Sequence, residues 1–330
     1  MIRFSPRARV AAVSLAPFHP IIRRWFAERL GEPTEPQVRG WPAILGGRDV
    51  LVTAPTGSGK TLAAFLAEVD RLFRLGLAGE LQDGVQVVYV SPLKALANDV
   101  QKNLLAPLEQ ISELSRAEGL APPHIRVQVR SGDTPQAERQ AMVKRPPHIL
   151  ITTPESLYLY LTAARSRATL SGVRTVIVDE IHAVARDKRG SHLALSLERL
   201  KALCAQRPQL VGLSATVKPI ERIASFLAGE GAKEPPELVQ VGHLRSWDLK
   251  VDAPDAELTA AATHEMWGSV YDRIEALSAK NRTILVFTNT RRLAERMAHD
   301  LGVRLGKERV AAHHGSMARP LRLGVEERLK

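Results

Sequence analysis

A short polar stretch of this chain reads Ala54-Pro55-Thr56-Gly57-Ser58-Gly59-Lys60-Thr61 and follows an apolar run at residues 50–53. It leads into an amphipathic pattern over residues 62–75, so it joins a predicted strand to a predicted helix. That is the context of a phosphate-binding loop, in which backbone N–H groups converge on phosphate oxygens. Lys60 can reach the β- and γ-phosphates, and the Thr61 hydroxyl can bind Mg²⁺. The first residue is alanine where the general pattern has glycine, and the structural alternative is a Gly-rich turn before a helix.

A second candidate element of the same site is the apolar run at residues 175–178, which ends in Asp179 and Glu180. Ligands of open α/β sheets lie at the carboxyl ends of the strands, so this position suits a metal site. Asp179 would bind Mg²⁺, and Glu180 would orient or deprotonate the attacking water. An apolar run followed by acidic residues is common by itself, and it gains meaning from the loop at residues 54–61.

Three further polar residues lie next to predicted strand ends. His182 follows the two carboxylates, where it could sense the loss of a γ-phosphate, although a lone histidine is more often structural. Ser214 and Thr216 follow the apolar run at residues 210–213 and would ordinarily be capping residues. Ser214 and Thr216 gain significance only from their place beside the candidate nucleotide site.

Short apolar runs alternate with longer helical patterns over the first two thirds of the chain. Near-continuous apolar runs are typical of strands buried on both faces, as in a parallel sheet between helices. Residues 125–130 alternate instead, which predicts an edge strand with one wet face. The fold class is therefore α/β, with a parallel sheet and helices on both faces. The remaining runs that predict strands are residues 87–90 and 149–152.

The pattern changes in residues 229–236, which have the composition of a linker. We therefore predict an N-terminal domain over residues 1–236 and a second, partial α/β domain over residues 237–330. Within the second domain, residues 283–287 and 309–313 predict strands between helical patterns.

The composition is that of a globular chain with a basic surplus. Its 330 residues carry 46 Lys+Arg against 35 Asp+Glu, a formal net charge of +11, and most of the surplus lies before residue 237. A basic surplus favours a nucleic-acid partner, although solubility alone could explain it. A mean hydropathy of −0.11 excludes a chain dominated by membrane-spanning segments, and we expect no membrane partner and a cytoplasmic location. The single cysteine, Cys204, excludes an intramolecular disulfide.

Together these motifs resemble superfamily 2 helicases of the DExH type. The sequence around and between the motifs is most similar to the large helicase-related (Lhr) group, in residues 41–44, 178–184 and 188–200. The remaining residues that match helicase motifs are Gln37 before the phosphate-binding loop, Pro92 and Lys94 within residues 91–99, Thr153 and Pro154 within residues 152–156, and Thr290 and Arg291 within residues 284–291.

The resemblance implies two RecA-like domains and an ATP- and Mg²⁺-dependent motor that translocates 3′-to-5′ on single-stranded DNA. Such enzymes separate duplexes or RNA–DNA hybrids and are linked to DNA repair. By the same resemblance, Gln37 would read adenine, and His182, Ser214 and Thr216 would couple hydrolysis to movement. Pro92, Lys94, Thr153, Pro154, Thr290 and Arg291 would contact the nucleic-acid backbone without sequence specificity. For Lys94 and Arg291, the alternative is a solvated surface charge.

Family members continue with motifs that this sequence does not contain, among them the arginines that reach ATP across the interdomain cleft. An arginine finger is worth roughly 10³–10⁵ in rate, so we expect this chain, as an N-terminal portion, to bind ATP–Mg²⁺ but to hydrolyse it poorly. The alternative is a nucleotide-gated clamp on nucleic acid that does not unwind it. A third possibility is an ATPase motor of another kind, such as a restriction or transport subunit.

Overall fold

The computed structural model describes residues 14–92, 94–215, 217–229, 231–242, 248–254 and 263–329. These residues form two compact units, one up to residue 246 and one from residue 247 onward. The strands are β1 (Val50–Thr53), β2 (Val87–Val90), β3 (Val127–Arg130), β4 (Ile149–Thr152), β5 (Thr175–Val178), β6 (Gln209–Ser214) and β7 (Glu237–Gln240). The helices are α1 (Pro20–Arg29), α2 (Glu35–Leu45), α3 (Lys60–Leu77), α4 (Lys94–Ala117), α5 (Gln136–Lys144), α6 (Pro154–Thr162), α7 (Ala164–Ala168), α8 (Ile181–Val184), α9 (Lys188–Leu203), α10 (Ile220–Ala228), α11 (His264–Ser278), α12 (Arg291–Leu305) and α13 (Arg319–Leu329).

The first unit is built on one seven-stranded sheet in the order β3-β4-β2-β5-β6-β1-β7. Every neighbouring pair in it is parallel. Parallel neighbours need crossover connections, and the helices between successive strands supply them. The α/β class and the parallel sheet predicted from the sequence are confirmed.

The core lies in two layers, one on each face of the sheet. Because successive side chains of a strand point to opposite faces, Val50 and Val52 pack in one layer and Leu51 packs in the other. The first layer receives apolar side chains from α1 to α4, and the second receives them from α6, α9 and α10. Each large apolar side chain buried in this way contributes about 1.5–3 kcal/mol. Two filled faces explain why the central strands read as continuous apolar runs.

The sheet edges show one confirmed prediction and one difference. β3 lies at one edge of the sheet, as the alternation of residues 125–130 predicted, but the expected wet face is not seen, because Val127 and Arg130 are buried and Gln128 and Val129 are half-buried. β7 forms the other edge by pairing with β1, Val50 opposite Glu237 and Thr53 opposite Gln240. The compact units therefore divide after residue 246 rather than after 236, because residues 237–240 complete the first sheet.

The second unit is helical over its described residues. α11 and α12 pack against each other through Tyr271, Met297 and Leu301. The strands predicted at residues 283–287 and 309–313 are not formed, which corrects that expectation. A strand exists only as part of a hydrogen-bonded ladder, and neither run pairs with a described neighbour.

No helix within the described ranges is both long enough and apolar enough to cross a membrane.

Candidate active site

Three neighbouring strands bring the candidate phosphate and metal residues together. β5, β6 and β1 are adjacent in the sheet and run parallel, so their carboxyl ends meet at one edge. The phosphate-binding loop follows β1, Asp179 and Glu180 follow β5, and Ser214 ends β6. In the sequence these segments lie far apart, and only the strand order makes them neighbours.

The phosphate-binding loop is held open by two glycines in the left-handed region. Gly57 has φ +78° and Gly59 has φ +87°, conformations that side-chain-bearing residues rarely adopt. A Cβ on Gly59 would also lie 2.8 Å from the Gln37 side-chain nitrogen. At the first position of the loop, the Ala54 methyl group is fully buried and its N–H bonds the Ser214 carbonyl at 3.1 Å. The Ser58 hydroxyl oxygen is buried with no hydrogen-bond partner within the described ranges.

The charged groups of the site surround the first turn of α3. Lys60 is buried, and its Nζ lies 3.7 Å from Oε1 of Glu180. The Thr61 hydroxyl lies 3.4 Å from Oδ2 of Asp179. Oδ1 of Asp179 accepts the Glu180 backbone N–H at 2.8 Å, so the backbone fixes one oxygen of this carboxylate. A hydroxyl and a carboxylate oxygen side by side are ligands that Mg²⁺ prefers.

Glu180 has a strained backbone. Its φ of +47° makes it the one non-glycine residue with positive φ within the described ranges. For an L-residue this conformation costs about 1–2 kcal/mol. It starts the short helix α8 and directs the Glu180 side chain between Lys60 and His182, whose Nε2 lies 3.4 Å from Oε2 of Glu180. Strain retained at such a position points to a functional requirement.

His182 connects Glu180 to the end of β6. Its Nδ1 accepts the Ala215 backbone N–H at 3.3 Å and lies 3.2 Å from the Ser214 hydroxyl. Since a backbone N–H can only donate, the neutral ring carries its proton on Nε2, the nitrogen that faces the Glu180 carboxylate. His182 and Ser214 thus form a chain of contacts from Glu180 to the strand end. Thr216 lies outside the described residues.

Tyr89 is a site residue that the sequence reasoning missed. It lies in β2, is fully buried, and donates its hydroxyl proton to Oδ2 of Asp179. Burial raises the pKa of Tyr89 and the nearby Asp179 charge raises it further, so the phenol keeps its proton. The sequence signal that could have indicated it is a tyrosine inside the otherwise apolar run at residues 87–90. A buried tyrosine hydroxyl usually has a hydrogen-bond partner, so a polar group was to be expected near it.

Gln37 holds α2 against the phosphate-binding loop. Its amide oxygen accepts the Thr34 backbone N–H at 2.8 Å, which completes the capping box at the start of α2. Its amide nitrogen lies 3.3 Å from the Gly59 carbonyl oxygen. The carbonyl oxygen and the NH₂ group of this amide can each form one further hydrogen bond. The side chain is 3% exposed and therefore lies at the loop rather than on the open surface.

The candidate nucleic-acid residues lie at the ends of β2 and β4, in the other half of the same sheet edge. The Thr153 hydroxyl accepts the Ser156 N–H at 3.3 Å and Pro154 is the first residue of α6, as the sequence predicted for a helix start. Thr153, Pro154 and Pro92 are buried, so a ligand would meet the backbone there rather than these side chains.

A bridge joins these two strand ends. Arg189 bonds Glu155 at 2.7 Å through its Nε and the Pro92 carbonyl oxygen at 2.9 Å through its Nη2. The pKa of the Glu155 carboxyl is held below its usual value by the Arg189 hydrogen bond, against the opposing effect of burial. Arg189 thereby sets the distance between the segment after β2 and the start of α6. The backbone of Lys94 begins α4, and its side chain lies outside the described residues.

In the second unit, Thr290 and Arg291 stand at the start of α12. The Thr290 hydroxyl accepts the Leu293 N–H at 3.2 Å and caps the helix. The Arg291 guanidinium donates to the Ser316 hydroxyl, so it is held by a neighbour in its own unit.

The residues of the site fit a magnesium nucleotide. Two positive-φ glycines leave room for phosphate next to the α3 N-terminus. The Ser58 hydroxyl has no hydrogen-bond partner within the described ranges and could bond a phosphate oxygen, and Lys60 supplies positive charge. Thr61 and Asp179 offer oxygen ligands at a mutual distance that one cation can bridge.

Comparison with known proteins agrees with this geometry. The DEAD/DEAH box helicase family matches residues 34–223, the range that holds Gln37, the loop at residues 54–61, Asp179 and the end of β6. The chain belongs to the DEAD/DEAH box helicase family.

Among individual helicases, the chain is similar to Lhr proteins. It is 44% identical to the ATP-dependent helicase Lhr-Core protein 2 of Thermococcus barophilus, with 100% of this chain and 39% of that protein covered. It is 45% identical to the ATP-dependent helicase Lhr-Core of Methanothermobacter thermautotrophicus, with 94% of this chain and 37% of that protein covered. The Lhr resemblance read from the sequence is confirmed, and the chain spans less than half the length of these relatives.

Solved helicase structures share the fold. A structure of the Mycobacterium smegmatis helicase Lhr bound to single-stranded DNA and AMP-PNP matches with a TM-score of 0.83 and 47% identity, covering 96% of this chain and 40% of that one. The DEAD-box helicase Mss116, bound to single-stranded RNA and UDP-BeF, matches with a TM-score of 0.76 over 100% of this chain and 65% of its own. At 16% identity, the second match shows the fold alone, which is the RecA-like helicase fold.

Proposed function

We propose that this chain is part of the motor of an Lhr-type, ATP-dependent helicase that translocates on nucleic acid. The observation that carries the proposal is the convergence of Lys60 and Thr61, which follow β1, with Asp179 and Glu180, which follow β5, across the single intervening strand β6. We propose single-stranded DNA or an RNA–DNA hybrid as the partner, a cytoplasmic location and a role in DNA repair. The unit from residue 247 onward would contribute part of a second RecA-like domain.

Nucleotide binding follows from the side chains around α3. Gln37 would hold adenine, residues 56–61 would hold the phosphates, and Thr61 with Asp179 would hold Mg²⁺, which neutralises phosphate charge when bound. Glu180 would orient the attacking water and accept its proton, since its carboxylate lies beside Lys60 and is partly exposed.

The coupling of ATP hydrolysis to movement along the nucleic acid would run through His182. Glu180 contacts Lys60 on one side and His182 on the other, so a change at the phosphates alters the partners of one carboxylate. His182 would transmit that change to Ser214 and Ala215, and we propose the same coupling role for Thr216, the next residue of the sequence. Such a chain of contacts supports a role for these residues in coupling rather than in hydrolysis.

Nucleic acid would lie across the ends of β2 and β4. Pro92, Lys94, Thr153 and Pro154 belong to these segments, and the start of α6 offers its positive dipole to a phosphate. Thr290 and Arg291 would add a backbone contact from the second unit. Backbone contacts carry no base readout, so the proposed binding is not sequence-specific.

The test is ATP hydrolysis by the full chain, measured with and without single-stranded DNA, beside nucleotide binding. Lys60→Ala removes the buried cation and should lower turnover by at least about a hundredfold, since a lost transition-state contact costs on that order. Lys201→Ala is the matched control, because Lys201 is also largely buried but bonds Glu198 and the Ala228 carbonyl instead.

The outcomes separate the candidates. Turnover that DNA stimulates and that only Lys60→Ala removes supports the motor. Equal turnover in wild-type and Lys60→Ala chains would refute it. Nucleotide-dependent DNA binding with little turnover is the result expected where the arginines that reach ATP are missing, and for this chain by itself it would favour the nucleotide-gated clamp.

A further inference from the structure

Tyr89 is buried between the sheet and α3, close to the metal carboxylate but outside every motif read from the sequence. Its ring packs against Phe65 of α3, with ring centroids 4.9 Å apart and an interplanar angle of 31°. Its backbone pairs with Ile177, two residues before Asp179. This ring placement aims the hydroxyl along the sheet at the Asp179 side chain, to which it is bonded.

The Asp179 carboxylate accepts hydrogen bonds from three donors. The Glu180 backbone N–H donates to Oδ1 at 2.8 Å, and Oδ2 accepts from the Tyr89 hydroxyl and, at the longer distance of 3.4 Å, from the Thr61 hydroxyl. One donor alone would let the carboxylate rotate about its terminal bond, since that torsion is soft. Donors on both oxygens fix its plane.

The fixed plane decides what Oδ2 faces. Oδ2 lies 3.4 Å from the Thr61 hydroxyl, and these two oxygens would bind the same cation. Tyr89 therefore holds the Asp179 oxygen that would bind the metal. A hydrogen-bonded carboxylate oxygen retains lone pairs for a metal. Partners behind a metal ligand typically orient it and tune the metal.

We propose that Tyr89 is a positioning residue that orients the Asp179 carboxylate for the magnesium of bound nucleotide. The inference rests on the proposed function, because it requires that Asp179 binds Mg²⁺. Tyr89 is fully buried and its hydroxyl is bonded to Asp179, so it would act through Asp179.

The position of Tyr89 in the sheet gives the contact a second consequence. β2 lies where the strands with the candidate nucleic-acid segments meet the strands with the candidate nucleotide segments, because its neighbours are β4 on one side and β5 on the other. Pro92, a candidate nucleic-acid residue, follows Tyr89 closely on the same strand end. The strand that carries a nucleic-acid segment therefore also holds the metal carboxylate.

The experiment compares Tyr89→Phe with wild-type chain by Mg²⁺ titration of a fluorescent ATP analogue. Tyr89→Phe keeps the ring against Phe65 and removes only the donor. Tyr160→Phe is the matched control: Tyr160 is 4% exposed, and its hydroxyl contacts Thr169 at 3.3 Å on the opposite face of the sheet. Nucleotide affinity is also measured in EDTA, where a metal-positioning role has no effect.

In Tyr89→Phe we expect the Mg²⁺ midpoint to rise about 10- to 100-fold, the usual effect of losing a partner behind a metal ligand. Affinity without Mg²⁺ should stay at the wild-type value, and Tyr160→Phe should leave both quantities unchanged. Replacing Tyr89 with 4-aminophenylalanine, which restores a donor at the ring tip, should return the midpoint toward that of wild type.

A Tyr89→Phe midpoint equal to or below the wild-type midpoint would overturn the inference. So would an equal loss of affinity with and without Mg²⁺, which would mark a purely structural role. If Tyr89→Phe does not fold, the 4-aminophenylalanine chain decides: a raised midpoint despite the retained donor contradicts the proposal. A wild-type chain whose nucleotide binding ignores Mg²⁺ would instead refute the proposed function itself.

Discussion

The left-handed backbone of Glu180 makes a quantitative prediction about stability. At φ +47° an L-residue is disfavoured by about 1–2 kcal/mol, and glycine is free of that cost. Glycine also loses more chain entropy on folding, which lowers its advantage by about 0.5–1 kcal/mol. At the midpoints of these two ranges, Glu180→Gly should therefore be more stable than Glu180→Ala by about 0.75 kcal/mol. Both variants lose the contacts with Lys60 and His182, so those losses cancel in the comparison.

The assay is thermal unfolding followed by far-UV circular dichroism. For a unit that reaches residue 246, about 1 kcal/mol corresponds to roughly 2–4 °C in Tm, so the glycine variant should melt about 1–4 °C higher. The control pair is at Glu198, an exposed position inside α9, where glycine should be the less stable variant by about 1 kcal/mol. An alanine variant at position 180 that melts at the same temperature as the glycine variant, or higher, would refute the strain argument.

Two further predictions concern His148 and Thr153. Burial lowers the pKa of His148 to about 4, against 6.5 for the ordinary group, so the unfolded chain binds its proton first as pH falls. Stability should therefore decrease by up to roughly 3 kcal/mol from pH 6.5 down to about 4, and urea unfolding of His148→Gln should show a flatter pH dependence. Thr153→Ala removes the cap of α6 and should cost about 1 kcal/mol in urea unfolding, whereas Thr153→Ser should retain most of it. A Thr153→Ala chain as stable as wild type would show that the hydroxyl contributes no capping.

Local sequence determined most elements of the first unit, because their signals are short-range. The apolar runs at residues 50–53, 87–90, 149–152 and 175–178 became strands with those bounds. The phosphate-binding loop was readable for the same reason, since its glycines, Lys60 and Thr61 are consecutive and their chemistry depends on spacing alone.

Errors arose where the outcome depends on a distant partner. Residues 237–240 were placed outside the first domain, because a linker-like composition precedes them and their pairing with β1 has no local signal. The runs at residues 283–287 and 309–313 have strand-like composition but no ladder. An apolar run becomes a strand only if another strand forms hydrogen bonds with it, and that pairing depends on the tertiary structure.

The division of the sheet edge was decided by strand order alone. In the sequence, the candidate nucleic-acid segments after β2 and β4 lie between the segments that follow β1 and β5, whereas the sheet places β1, β6 and β5 together and β2, β4 and β3 beside them. Tyr89 shows the same limit at the scale of one side chain. The sequence determined its identity and burial, but the contact with Asp179 exists because β2 and β5 are neighbours. Residue type and spacing thus specified which chemistry is present, and long-range pairing specified which groups meet, because side chains distant in sequence acquire contacts only through the fold.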